Sequence, residues 1–282
     1  MKACFQIAEC SFASAKILQK SEITKRFAIF FILSPIFSCE IKIFVVSLQK
    51  DSVTKRSVMD KQINELLEVL KEYQELGISE QIDYQKFYLY SIITHSTAIE
   101  GSTVTEIENQ LLFDEGITAK GKPMVEQLMN LDLKRAYEQS IRWAREHKPF
   151  TVEMLKNLSA LVMRNTGSHY STLMGEFDSS KGDLRLVGVT AGAGGRSYMD
   201  YRKVPMKLEE LCNHINQRRE ALIKSPNAID AYLLSFDAHN ILVTIHPWVD
   251  GNGRMSRLIM NHLQFEFGLV PAKIIKEDKA QY

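Results

Sequence analysis

Residues 246–257 read His246-Pro-Trp-Val-Asp-Gly-Asn-Gly-Arg-Met-Ser-Arg257. This dozen joins a proton acceptor (His246), a carboxylate (Asp250), two glycines around an asparagine (Gly251, Asn252, Gly253) and two arginines (Arg254, Arg257). Glycines let backbone N–H groups converge on an anion. A helix starting behind them adds the positive end of its dipole. Arginine forks neutralise phosphate charge, and a carboxylate holds a divalent cation that bridges phosphates. The stretch therefore has the parts of a polyphosphate site. It lies between two apolar-periodic segments, Ile229–Ile245 and about Gly253–Phe267, which read as helices.

Helical periodicity extends upstream. Ile63, Leu66, Leu67 and Leu70 recur at helical spacing, and Gly77 ends that segment. Asp83–Ile99 reads as a helix with Phe87, Tyr90, Ile93 and Thr97 on one side, stopped at Gly101. Thr105 followed by Glu108 has the spacing of a capping box for a short helix through Phe113. A long helix runs from Pro123 to about Glu146, the next from Thr151 through Met163, and another over Val204–Ile223. Residues 166–202 break the pattern. Leu184, Leu186, Val187 and Val189 form a β-prone run, and Ala191–Gly195 reads as a turn. Ser197–Tyr201 reads as a returning strand. The fold class is all-α, mainly helical, with one small β-hairpin.

Composition sets the remaining bounds. The 282 residues are 45% hydrophobic and 24% charged, with net charge +1, so no nucleic-acid partner is expected. Cys4, Cys10, Cys39 and Cys212 form no CxxC pair and no disulfide framework, which points to a reducing, cytoplasmic compartment. No Walker A motif, GxGxxG, HExxH or EF-hand loop is present. Residues 1–58 differ from the rest, carrying nine Lys/Arg and four acids and an interrupted apolar stretch over residues 27–48. Pro35, Glu40 and Lys42 break that stretch, and neither half is long enough to span a bilayer. A translated upstream region is the favoured reading, because no methionine lies between Met1 and Met59. Membrane association through residues 27–48 and an extra structured arm are the alternatives.

The 246–257 stretch resembles the Fic family signature, H-x-F-x-[D/E]-G-N-G-R-x-x-R, departing only where Trp248 takes the usual Phe position. Ser96-Thr-Ala-Ile-Glu100-Gly101 resembles that family's inhibitory-helix motif, [S/T]-x-x-x-E-[G/N], in the class where the helix precedes the core. The resemblance implies three regions: the atypical segment 1–58, an N-terminal helical region 59–150 with the inhibitory helix, and a catalytic core at 151–282. Related proteins continue with another helix beyond the stretch resembling Val270–Tyr282, so truncation is expected there.

The resemblance also implies an activity, transfer of AMP from ATP to a Ser, Thr or Tyr hydroxyl of a target protein. His246 would be the general base and Asp250 the Mg²⁺ ligand. Gly251, Asn252, Gly253, Arg254 and Arg257 would hold the nucleotide. Asp250 alternatively caps the following helix, and Asn261 either touches nucleotide or caps a neighbour. Glu100 would restrain the enzyme by pairing with Arg257, with Ser96 and Gly101 completing the regulatory motif. The hairpin would be a flap that docks the target by β-augmentation through Val187, Val189 and Tyr198. Self-modification and homodimer formation are further partner expectations. Family members that transfer UMP or phosphocholine, that remove AMP, or that act as a toxin–antitoxin binding half define the alternatives.

Overall fold

The computed structural model describes residues 84–192, 195 and 197–278, together with residues 61, 63–65, 67–69, 71 and 75. The expectations for residues 1–58, including the apolar stretch 27–48, lie outside the described residues.

Seven α-helices carry residues 84–278: α1 (Tyr84–Ile99), α2 (Glu106–Asp114), α3 (Met124–Arg145), α4 (Val152–Val162), α5 (Val204–Lys224), α6 (Ala228–Ile245) and α7 (Asn252–Glu266). Their starts follow local chemistry. Thr105 and Glu108 form the reciprocal capping box of α2, and Thr151 accepts from the Met154 N–H to cap α4. Asn227 caps α6 in the same way. No helix among the described residues is long and apolar enough to cross a membrane.

Helix α7 is the axis of the molecule. All of it except Gly253 and Phe265 is buried, and it packs chiefly on α6 and α3, with α1 and α4 completing its surround. Leu258, Ile259 and Leu263 join Leu133, Tyr137, Leu155, Leu158, Leu234, Leu242 and Trp248 in one core. A helix buried on all sides must also satisfy its polar side chains internally. The Tyr137 hydroxyl donates to Asn261 Oδ1 (2.7 Å), Ser140 Oγ meets His262 Nδ1 (2.8 Å), and Gln264 donates to Ser235 Oγ (3.0 Å). Arg219 of α5 donates through Nε to Glu266 Oε2 (2.8 Å). A smaller cluster seats Ile63 against Tyr232, Phe236 and Met260, whereas Leu67 of the same segment is exposed.

Two expectations need correction. On α1, Tyr90, Ile93 and Thr97 are buried as the spacing suggests, but Phe87 is exposed and the buried face turns toward Ser91 and Ile92 instead. The hairpin also sits elsewhere. The two-stranded antiparallel sheet pairs β1 (His169–Thr172) with β2 (Gly175–Asp178), upstream of the expected run. The described residues within 184–201 make only an isolated bridge, Thr190 with Ser197, beside a bond from the Tyr198 N–H to the Val189 carbonyl (3.0 Å).

Candidate active site

The loop from His246 to Gly251 joins the C-terminus of α6 to the N-terminus of α7, and three local features shape it. His246 ends α6 in the left-handed region (φ 52°), its N–H bonded to the Leu242 carbonyl (3.0 Å). Trp248, fully buried, anchors the loop and donates from Nε1 to the Gly182 carbonyl (3.1 Å). Asn252 staples the loop: its Oδ1 accepts from the Trp248 N–H (3.0 Å) and its Nδ2 donates to the Trp248 carbonyl (2.9 Å). The Asn252 side chain is thus committed to the loop, leaving its backbone N–H for an anion.

Gly251 is the N-cap of α7 (φ 80°), and no side chain caps the helix. Asp250 does not perform that role. Its Oδ1 accepts from the adjacent Gly251 N–H (2.6 Å), and Oδ2 lies 3.3 Å from Arg254 Nη2. A helix whose first N–H groups have no side-chain cap presents them to an anion, supported by the helix dipole. Glycine is required at 251 on two counts. A side chain would be strained at that φ, and its Cβ would lie 2.8 Å from Met163 Sδ.

Arg254 and Arg257 point differently. Arg254 is 2% exposed, with Nη2 against Met163 Sδ (3.2 Å), while its Nε and Nη1 have no hydrogen-bond partner. Burial lowers its pKa, with Asp250 and then Glu100 opposing that shift. Arg257 is fully engaged by α1. Its Nε donates to Ser96 Oγ (2.8 Å) and its Nη2 to the Ser96 carbonyl (2.9 Å) and to Glu100 Oε1 (2.5 Å). Glu100 sits at the end of α1, where Gly101 (φ 106°) turns the chain away. Its carboxylate fills the space above Gly253, where a Cβ would lie 2.3 Å from Oε1.

The His246 imidazole is largely enclosed. Burial pushes its pKa down to about 4, the Arg185 charge lowering it further and the Val243 carbonyl, Asp250 and Glu100 raising it. At neutral pH the ring is therefore neutral and able to accept a proton. An added phosphate charge nearby raises its basicity again. The Tyr198 ring lies flat on the imidazole, with centroids 3.6 Å apart and planes at 17°. Tyr198 thus faces the candidate base rather than presenting itself as an open flap contact. Val187 and Val189 are half-buried, and the Val187 carbonyl is already taken by Arg185 Nη1 (2.8 Å). Arg185 escaped sequence reasoning because a lone arginine in an apolar run carries no positional signal. Asn261 has its Oδ1 bonded to Tyr137, while its Nδ2 donates to Gln264 and the Ala272 carbonyl, so its role is structural.

Among the described residues no group of three or more His, Cys, Asp or Glu side chains converges as a metal cage. Asp250, its side chain 63% exposed, is the carboxylate of the loop at the α7 start, and Glu100 beside it is taken by Arg257. That fits Mg²⁺ only as the ion is carried by phosphates, since Mg²⁺ keeps several waters and takes one or two protein carboxylates.

Residues 149–264 match the model of the Fic/DOC family. The protein adenylyltransferase Fic of Drosophila mojavensis is 30% identical over 194 residues, which cover 67% of this chain and 34% of that protein. The protein adenylyltransferase fic-1 of Caenorhabditis elegans is 24% identical over 200 residues, covering 70% of this chain and 35% of that protein. The chain thus spans about a third of the length of these curated relatives. Among solved structures, a Fic domain containing signaling protein from Bacteroides thetaiotaomicron VPI-5482 is similar at TM-score 0.58 and 20% identity, covering 70% of this chain and 71% of that one. A Fic family protein from Desulfovibrio desulfuricans G20 is similar at TM-score 0.59 and 18% identity, covering 81% of this chain and 65% of that one. The helical architecture around the α6–α7 loop is a Fic fold, and residues 149–264 form a domain of the Fic/DOC family.

Proposed function

We propose that this chain transfers AMP from ATP to a hydroxyl of a target protein and is held in check by Glu100. The observation that carries this reading is Arg254, a buried guanidinium with Nε and Nη1 unpartnered beside the uncapped start of α7. A buried cation lacking hydrogen-bond partners is costly, and an anion delivered there supplies them. The relatives' naming as protein adenylyltransferases supports a nucleotide as that anion.

In the proposed reaction the target hydroxyl oxygen attacks the α-phosphorus, and the bond from that phosphorus to the leaving pyrophosphate breaks. The hydroxyl proton passes to His246, neutral at working pH. The N–H groups of residues 252–254 and the Arg254 guanidinium receive phosphate oxygens, so the rate comes mainly from positioning and charge stabilisation. Asp250 would hold Mg²⁺ beside the phosphates, and the ion would supply neutralisation of charge on the phosphate chain. Arg257 contributes only once it leaves Glu100. The target is presented along the flap at residues 184–201. An open groove of about 420 Å³ between α5 and α6, bordered by Met199, His214 and Ile245, receives a neighbouring target side chain.

The test is mass spectrometry of the Glu100→Gly protein incubated with ATP and Mg²⁺. The expected result is addition of one AMP to the protein itself or to an added acceptor, at a rate well above wild type. His246→Ala abolishes it in the same background. Equal incorporation by wild type and Glu100→Gly would remove Glu100 from the scheme. A different added mass would redirect the reading to another phosphate-bearing group.

A further inference from the structure

One side chain ties the flap to the candidate base. Arg185 is 1% exposed and forms no ion pair within 4 Å among the described residues. Its guanidinium reaches three carbonyls on three segments. Nε donates to His246 (2.7 Å), Nη1 to Val187 (2.8 Å) and Nη2 to Met199 (2.5 Å). Its own N–H donates to the Pro247 carbonyl (3.1 Å). Val187 lies on the outgoing limb of the flap and Met199 on the returning limb, while His246 and Pro247 open the active loop. Next to Met199, Tyr198 lays its ring on the His246 imidazole. Packing alone would be met by an apolar residue of similar volume, without the desolvation cost of a buried cation. A planar fork that reaches three carbonyls in different directions is what arginine alone supplies.

We propose that Arg185 is the positioning residue of His246. It fixes the carbonyl end of that residue and, through Met199, seats the Tyr198 ring that holds the imidazole. Flap and base then move as one unit, so a target docked on the flap meets a base already aligned. This inference rests on His246 acting as the general base. The groups facing the imidazole are Arg185 and Tyr198 from the flap, Glu100 from α1, Asp250 from its own loop and the Val243 carbonyl from α6. Of these, Arg185 lowers the imidazole pKa, and burial lowers it most.

The experiment uses the full chain with labelled histidine and follows the His246 ring by NMR against pH, the signal identified by its loss in His246→Ala. Arg185→Met is expected to raise the His246 midpoint by about one unit or more, since it removes a cation and loosens the enclosure. Arg185→Lys keeps the charge but loses the fork, so its midpoint lies between. In the Glu100→Gly background, Arg185→Met is expected to lower kcat about 10- to 100-fold, the cost of a misplaced reacting group. KM for ATP stays unchanged, because Arg185 touches no cradle residue. Tyr198→Leu lowers kcat, and the conservative Tyr198→Phe restores it. An unmoved midpoint together with an unmoved kcat in Arg185→Met overturns the proposal. A Tyr198→Leu protein faster than Tyr198→Phe also overturns it, making the ring a cover over the base. Should Arg185→Met fail to fold, Arg185→Lys decides by the same two readouts. If Glu100→Gly transfers nothing, the functional reading fails, while the titration still tests the clamp.

Discussion

Glu100 places its carboxylate against Arg257 and over Gly253, whose missing side chain leaves room for it. Two substitutions separate restraint from chemistry there. Gly253→Ala puts a methyl 2.3 Å from the present position of Glu100 Oε1, so the glutamate must move, yet the methyl also fills the cradle floor. The expected outcome is a protein as inactive as His246→Ala, unlike Glu100→Gly, in a labelled-ATP assay. Activity in Gly253→Ala approaching that of Glu100→Gly would show that the floor is not used. Glu100→Gly should also lower the melting temperature, because the buried Arg257 loses its anionic partner while its bonds to Ser96 remain. ATP should then raise the melting temperature of Glu100→Gly more than that of wild type; an equal rise in both contradicts the exchange of carboxylate for phosphate. His246, Gly251, Gly253, Arg254 and Arg257 were legible because they form one contiguous motif whose function depends on local backbone geometry. Asn252 was legible as a motif residue, but its side chain proved to be a loop staple. Arg185 and Tyr198 were not legible in their observed roles, since each acts on a residue at least 48 positions away.

Helix α1 is held in place by a polar network reaching across α2 and α3, and the proposed restraint depends on that placement. Asn130 of α3 accepts at Oδ1 from Thr97 Oγ1 (2.7 Å) and Asn109 Nδ2 (2.9 Å), and donates from Nδ2 to Ser102 Oγ (3.2 Å) and the Glu126 carbonyl (2.8 Å). Asn109 also donates to Thr94 Oγ1 (2.8 Å). Asn130→Ala removes four hydrogen bonds from this network, at about 0.5–1.5 kcal/mol each, while Thr97 and Asn109 keep bonds within α1 and to Thr94. It should lower the urea midpoint and raise basal transfer, because α1 and its Glu100 are freed together. A stability loss with no rise in basal activity would separate the network from the restraint. The helices were readable from apolar spacing and capping residues, which act within one or two turns. The flap was misread for a physical reason. Leu184–Val189 has strand composition, but Arg185 takes the Val187 carbonyl that a ladder would use. The real strands, His169–Thr172 and Gly175–Asp178, are short and polar, with no alternating apolar face to announce them.

Across the whole molecule, burial leaves three histidines neutral. Their pKa values fall to about 4 for His239 and His246 and about 3 for His262, with desolvation the largest cause in each. The unfolded chain binds these protons near pH 6.5, whereas the folded chain resists them until pH falls to 4 or below. Between those limits the unfolded state carries more protons, so stability rises with pH. The contribution is fully present above about pH 6.5 and is lost progressively as pH falls through the folded values. Melting temperatures should therefore be level above neutrality and fall steadily from pH 6.5 towards 4; a flat profile across that window contradicts the buried neutral state. By itself the sequence determined the helical class and the anion-binding parts of residues 246–257, and through its resemblance it singled out Glu100 for the proposed restraint. All of these depend on contacts within a few turns or on short contiguous motifs. The pairing of Glu100 with Arg257 across 157 positions was expected from the resemblance and is present in the structure, but only the tertiary structure decided that Arg254 keeps two donors free and that Arg185 and Tyr198 grip His246. Those outcomes follow from α1, α6 and the flap packing around the buried helix α7, and packing between distant segments leaves no local pattern to read.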